Sequence, residues 1–170
     1  MAETRRRILS LGRQISRTDA KARVVVPQRM REALGPSVTM TTGPRDEIQC
    51  FADEDFENYV AAVAKVCHDW DRYELLDHLM LTPAEGGLEF DPSGRLTIRE
   101  PFREESGVDK YTEVILLWRS GGWLDIWNYR EYKAFRTDTA GYKKEQREAL
   151  AGLPNPLAIW LGEGQTGEAG

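Results

Sequence analysis

Short apolar runs broken by turn residues set the grammar of this chain. Val24-Val25-Val26 is β-branched throughout and predicts a strand. Ahead of it, Asp19 to Arg23 predicts a turn, because an aspartate side chain can bond the backbone in front of it. Gly12 to Thr18 predicts a short extended piece around Ile15. Pro27 fixes φ and lacks the N–H that a first helical turn leaves unpaired, so it opens a helix over Gln28–Leu34. Gly35-Pro36 stops that helix, and Val38–Thr42 with Glu47–Phe51 predicts a hairpin about Gly43-Pro44. The period then changes to 3.6. Asp53 is placed to cap a helix with Phe56, Val60, Val63 and Cys67 on one face, and Trp70, Tyr73, Leu76 and Leu79 mark a second helical stretch. These aromatics read as core and interface packing rather than a cofactor box.

The second half repeats the first. Asp91-Pro92-Ser93-Gly94-Arg95 leads into the strand Leu96–Ile98 and a helix from Pro101, as Asp19-Ala20-Lys21-Ala22-Arg23 leads into its own strand and helix. A shift of 72 positions lays Asp19 on Asp91, Arg23 on Arg95, Arg31-Glu32 on Arg103-Glu104 and Gly35 on Gly107. After a four-residue insertion, Val38 falls on Val114, Ile48 on Leu124, Cys50 on Ile126 and Phe51 on Trp127. Thr82–Phe90, broken by Pro83 and Gly86-Gly87, enters the second copy, and Ser120-Gly121-Gly122 is its hairpin turn. A unit of about fifty residues buries little apolar surface alone, so the duplication predicts two copies packed as a pseudo-dimer.

The expected organisation is therefore α+β. A flexible basic arm spans 1–11, a first repeat 12–56, a helical linker pair 57–82 and a second repeat 83–136. An amphipathic segment from about Tyr129 to Phe135 ends the second repeat, and beyond it 137–170 holds a helix over Lys143–Leu150 and a Gly- and Pro-rich disordered tail.

Composition changes this picture in one respect. At 170 residues, 41% hydrophobic and 30% charged, the chain is an ordinary soluble domain, and its net charge of −5 disfavours nucleic acid. Residues 1–31, however, hold nine Lys or Arg against Glu3 and Asp19, a surplus of seven that leaves −12 for the remainder. A basic end on an acidic body is the asymmetry of a polyanion reader, or else a solvated basic tail. No apolar run approaches the roughly 20 residues of a membrane helix, and no signal-peptide pattern follows the first arginines. Cys50 and Cys67 lack CxxC spacing and read as reduced core residues of a cytosolic protein.

Enzyme chemistry finds little support. His68 and His78, with Asp69, Asp71, Glu74 and Asp77 nearby, are ten residues apart and do not share a helix face at adjacent turns. HExxH, GxSxG, Walker and GxGxxG patterns are absent, and neither metal nor cofactor is implied.

The doubled Asp-x-x-x-Arg motif, each copy followed by a strand and a short helix, resembles the MraZ family, a two-repeat relative of the AbrB/SpoVT swapped-hairpin DNA-binding domains. The resemblance covers roughly Gly12 to Phe135 and rests on order, spacing and duplication together. It implies two pseudo-symmetric swapped-hairpin β repeats joined by a helical pair. It also implies a cytoplasmic, nucleoid-associated bacterial regulator that forms a ring-shaped homo-oligomer on double-stranded DNA with repeated promoter sites. The implied role is repression of a cell-division and cell-wall gene cluster, including the protein's own promoter. One departure is specific: where the family's first motif has glycine, this chain has Ala22, whereas the second copy keeps Gly94.

On that resemblance Arg23 is the leading DNA contact, supported by Lys21, Arg13 and Arg17, since a guanidinium fork pairs with phosphate or with guanine. Arg95 is the weaker counterpart among Glu89, Asp91, Glu100 and Glu104. Asp19 and Asp91 close their turns. Two alternatives stay open: Arg23 serves only as a salt bridge to Asp19 or Asp91, and the chain is an assembly module without DNA binding. Trp118, Trp123 and Trp127 are core, ring interface or, in the latter case, an exposed docking surface.

Overall fold

The computed structural model describes residues 12–137. The expected arm over 1–11, the helix over Lys143–Leu150 and the expected disordered tail lie outside the described residues. Strands β1 (Gly12–Arg17) and β2 (Arg23–Val25) precede helix α1 (Gln28–Leu34) and the hairpin β3 (Ser37–Thr42) and β4 (Ile48–Ala52). Helices α2 (Asp53–Val66) and α3 (Trp70–Leu76) follow, the latter running into a π turn over Asp77–Leu81. The second half holds β5 (Glu85–Glu89), β6 (Arg95–Thr97), α4 (Glu100–Ser106), β7 (Glu113–Trp118) and β8 (Leu124–Asn128), and then a helix α5 over 129–137. The described residues up to Tyr132 belong to one compact unit. The architecture is α+β.

Six strands form one antiparallel sheet in the order β1-β7-β8-β4-β3-β5, and β2 pairs with β6 in a sheet of two. The duplication is written into the registers. In the small sheet Val24 faces Leu96, its own counterpart under the 72-residue shift. In the large sheet Gln49 faces Asp125, counterparts after the insertion. A pseudo-two-fold axis thus passes through both pairs. The hairpins agree too, with Val38 opposite Ala52 and Val114 opposite Asn128.

First strands are exchanged. β1 pairs with β7 of the second half, and β5 pairs with β3 of the first. Ser16 faces Val114 as Leu88 faces Val38, the same register on both sides. The symmetry fails only where β5 shifts register between Val38 and Met40, beside Gly86-Gly87.

Alternation along the strands sends one face of the large sheet into a shared core. Val38, Met40, Ile48, Cys50, Val114, Leu116, Leu124 and Ile126 meet Val24, Leu96, Met30 of α1 and Phe102 of α4, all at most 2% exposed. Each such side chain contributes about 2 kcal/mol by leaving water. On the opposite face Phe51 packs on Phe56 and Tyr59 of α2, as Trp127 packs on Tyr132 of α5. Trp118 and Trp127 are buried, and Trp123 is half-buried against Phe51.

Three local expectations need correction. Asp53 does not cap α2; its carboxylate accepts from Ser37, Thr39 and the Gly87 N–H, tying the helix start to the sheet. On α3 and its π turn the inward residues are Tyr73, Leu76 and Met80, whereas Trp70, at the first position of α3, and Leu79 are exposed; the π turn moves the buried face from Leu79 to Met80. Cys50 is core, and burial pushes its thiol up, but Cys67 is only half-buried at the end of α2.

Candidate nucleic-acid interface

Both Asp-x-x-x-Arg segments fold as tight turns of one design. Asp19 Oδ1 accepts the N–H groups of Lys21 and Arg23, and the Ala22 N–H donates to the Asp19 carbonyl. Asp91 Oδ1 accepts from Ser93 and Arg95, and the Gly94 N–H donates to the Asp91 carbonyl. The expected turn-closing geometry is therefore present twice. The Ile98 N–H donates to the Ala22 carbonyl and the Val26 N–H to the Gly94 carbonyl, so each turn is tied to the strand of the other half.

Because β2 and β6 are antiparallel about the dyad, both arginines and both aspartates arrive on one surface. Arg23 Nε and Nη2 each lie 2.7 Å from Asp19 Oδ2, and Arg95 Nε lies 2.8 Å from Asp91 Oδ2. Crossed pairs complete the cluster, Arg23 to Asp91 at 3.5 Å and Arg95 to Asp19 at 3.7 Å. The Arg23 guanidinium, offset in part by desolvation, holds the Asp19 carboxyl at about 2. Asp91 is lowered as well, chiefly by the Arg95 N–H. Two carboxylates stand against two guanidiniums, so the formal charges of the cluster cancel.

Exposed positive charge lies on the first turn and on the strand that leads into it. Lys21 is exposed at the tip of the first turn, and Arg13 and Arg17 are exposed along β1. The corresponding positions of the second half are Ser93, Glu85 and Glu89, and Glu85 is bound by Arg99 at 2.6 Å. The two halves share a backbone but differ in sign.

The structure also explains what Ala22 does. Its φ is 54° and that of Gly94 is 75°, so the position is left-handed in both turns and alanine sits where glycine is favoured. Beside Gly94, Arg31 donates from Nε to the Val26 carbonyl at 3.0 Å, and a Cβ on Gly94 would lie 2.6 Å from Arg31 Cζ. Arg103 is the counterpart of Arg31, and Ala22 carries that Cβ. Arg103 turns instead to Asp109 and Glu100, and its Nε is buried without a hydrogen-bond partner. Sequence reasoning did not single out Arg31 or Arg103: the shift aligns them, but their target is a tertiary contact.

Among the described residues, no group of three or more His, Cys, Asp or Glu could hold a metal ion. His78 is exposed 3.9 Å from Glu74, far from this surface in sequence and on α3's π turn. No helix among the described residues is long and apolar enough to cross a membrane. The arrangement offers recognition by fixed backbone and cations.

No family model matches the chain. The protein named Transcriptional regulator MraZ in Burkholderia cenocepacia (strain HI2424) is 30% identical over 145 residues, covering 82% of this chain and 89% of the relative. Proteins of the same name from Burkholderia orbicola (strain MC0-3) and Burkholderia mallei (strain SAVP1) match with the same identity and coverage.

Proposed function

The chain belongs to the MraZ family, and from that premise we propose that it is a DNA-binding transcriptional regulator, acting as a ring-shaped homo-oligomer on repeated promoter sites. Its two repeats, 12–56 and 83–136, are of the swapped-hairpin kind, a reading supported by the exchange of β1 and β5 between halves. The targets are a cell-division and cell-wall gene cluster and the protein's own promoter, which it represses from the nucleoid.

The observation that carries the reading is the set of exposed cations Arg13 and Arg17 on β1 and Lys21 on the first turn, in the segment that leads into the dyad cluster. These three contact phosphates. Arg23 and Arg95 have side chains only 24% and 33% exposed, and they hold the turns while offering their remaining edges to the same DNA. Asp19 and Asp91 order these arginines rather than meeting DNA. Within the cluster both carboxylates are paired with guanidiniums, so the cluster itself offers a polyanion no unpaired carboxylate.

A second reading, an assembly module without DNA binding, draws on the neutrality of the cluster and on exposed Trp70, Leu75 and Leu79. Titrating the protein into duplex DNA from upstream of its own gene separates the two. The regulator reading expects tight binding to that fragment but not to a scrambled one. It also expects a fall in affinity with salt of about 0.9 log units per decade for each phosphate neutralised. Lys21→Ala should weaken binding and flatten this slope. Equal, weak binding to both fragments would contradict the regulator reading.

A further inference from the structure

The insertion that breaks the duplication forms an ordered loop beside the first turn. Between α1 and β3 the link after Gly35 is Pro36 alone; between α4 and β7 the link after Gly107 is Val108–Thr112. Thr18, directly ahead of the Asp19 turn and 2% exposed, anchors this loop. Its N–H donates to the Thr112 carbonyl at 2.9 Å, its hydroxyl donates to the Asp109 carbonyl, and it accepts the Thr112 N–H at 2.8 Å. Arg17 Nε donates to the Tyr111 carbonyl at 3.0 Å, and the Asp109 N–H donates to Thr112 Oγ1. Asp109 is in turn held by Arg103 at 3.2 Å.

At the crest of this loop stands Tyr111, 60% exposed and at φ 55°. Among the described residues, three non-glycine residues have positive φ, and two of them, Ala22 and Asp46, correspond to Gly94 and Gly122 across the dyad. Tyr111 alone has no counterpart. A bulky residue in this conformation is strained, and the strain persists because bonds on both sides fix the loop. Such an outlier, with its ring in solvent, points to a use outside the fold. The charges next to it are Lys110 on the loop and Arg17 on β1, both exposed. Against them stand Asp109, already paired with Arg103, and Glu113, opposite Arg17 in the β1–β7 register.

We propose that loop 108–112 is an added DNA-contacting element belonging to the first turn. The Lys110 ammonium meets a backbone phosphate, and the Tyr111 ring lies on the adjoining sugar with its hydroxyl donating to a phosphate oxygen. The inference rests on the DNA-binding reading. It makes the two dyad-related turns unequal: the turn at Asp19 gains a wall that the turn at Asp91 lacks, so a subunit engages duplex with one preferred half.

Tyr111→Gly tests this with opposed readouts, since it removes both the ring and the strain. The full chain carrying it should unfold at an equal or higher urea midpoint, yet bind the upstream duplex about ten-fold more weakly, the scale of one charge-assisted hydrogen bond. Lys110→Ala should flatten the salt slope by about 0.9, while Lys65→Ala, on α2, leaves it unchanged. Wild-type protein that binds the duplex while Tyr111→Gly and Lys110→Ala bind equally well would overturn the loop proposal and leave the DNA reading standing. Absence of wild-type binding would overturn both. Tyr111→Gly protein with full DNA affinity but a smaller sedimenting species would assign the loop to subunit contact and overturn the proposal as well.

Discussion

Ala22 and Gly94 occupy one backbone position twice, which makes them an internal experiment. Alanine at φ 54° carries a left-handed strain of about 1–2 kcal/mol, while its fully buried methyl returns about 0.8 kcal/mol. Ala22→Gly should therefore change stability by less than about 1 kcal/mol. Gly94→Ala adds the same strain and drives a methyl into Arg31, which loses its bond to the Val26 carbonyl, so it should cost about 2 kcal/mol or more. Urea midpoints with unchanged m-values check both; equal effects at the two positions would refute the asymmetry. Asp125 offers a second test. It is fully buried, accepts from Arg119 and Trp123, and lies near buried Glu47; burial raises its carboxyl to about 6. A raised carboxylate pKa stabilises the fold below the unfolded value near 4, and that contribution disappears as pH rises through about 6. The loss amounts to about 3 kcal/mol. Asp125→Asn should flatten the stability profile between pH 4 and 7. Asp19 acts in the other direction: its contribution is present above about 4 and is lost as pH falls toward 2. A profile unchanged by Asp125→Asn would refute the assignment.

Met30 of α1 and Phe102 of α4 are counterparts that fill the shared core from two short helices. Truncation should cost about 2–5 kcal/mol for Met30→Ala and 3–5 for Phe102→Ala, in a single cooperative urea transition. Two separable transitions would mean that the halves do not share a core. At this scale much was legible in the sequence. The bounds of α1, the hairpins and both turns follow from Pro, Gly, Asp and the β-branched runs, whose preferences act locally. Pairing partners were not legible: nothing in Gly12–Arg17 itself says that it pairs with β7, some hundred residues away, rather than with β3. Asp53 has a helix-capping side chain in the right place, but Ser37 and Thr39 compete for it from the sheet. Phe51 with Phe56 and Trp127 with Tyr132 keep the same spacing of five, a signal that period alone did not reveal.

Residues 12–132 form a nearly symmetric frame with unsymmetric decoration. Charge separates the halves where backbone does not: Arg13, Arg17 and Lys21 stand where the second half has Glu85, Glu89 and Ser93. The sequence revealed this imbalance, and it revealed the paired Asp-x-x-x-Arg motifs. It could not reveal that the dyad brings the motifs together and cancels their charge. The expected leading role of Arg23 is accordingly reassigned, in the proposal made here, to its exposed neighbours. Hydrogen exchange of the full chain with and without the upstream duplex tests this account most directly, because it maps where DNA lies. Slowed exchange should concentrate in 12–23 and 108–112, extend more weakly to 91–95, and leave β4 and α2 unchanged. Protection confined to α3 and its π turn, or none with saturating DNA, would contradict the account.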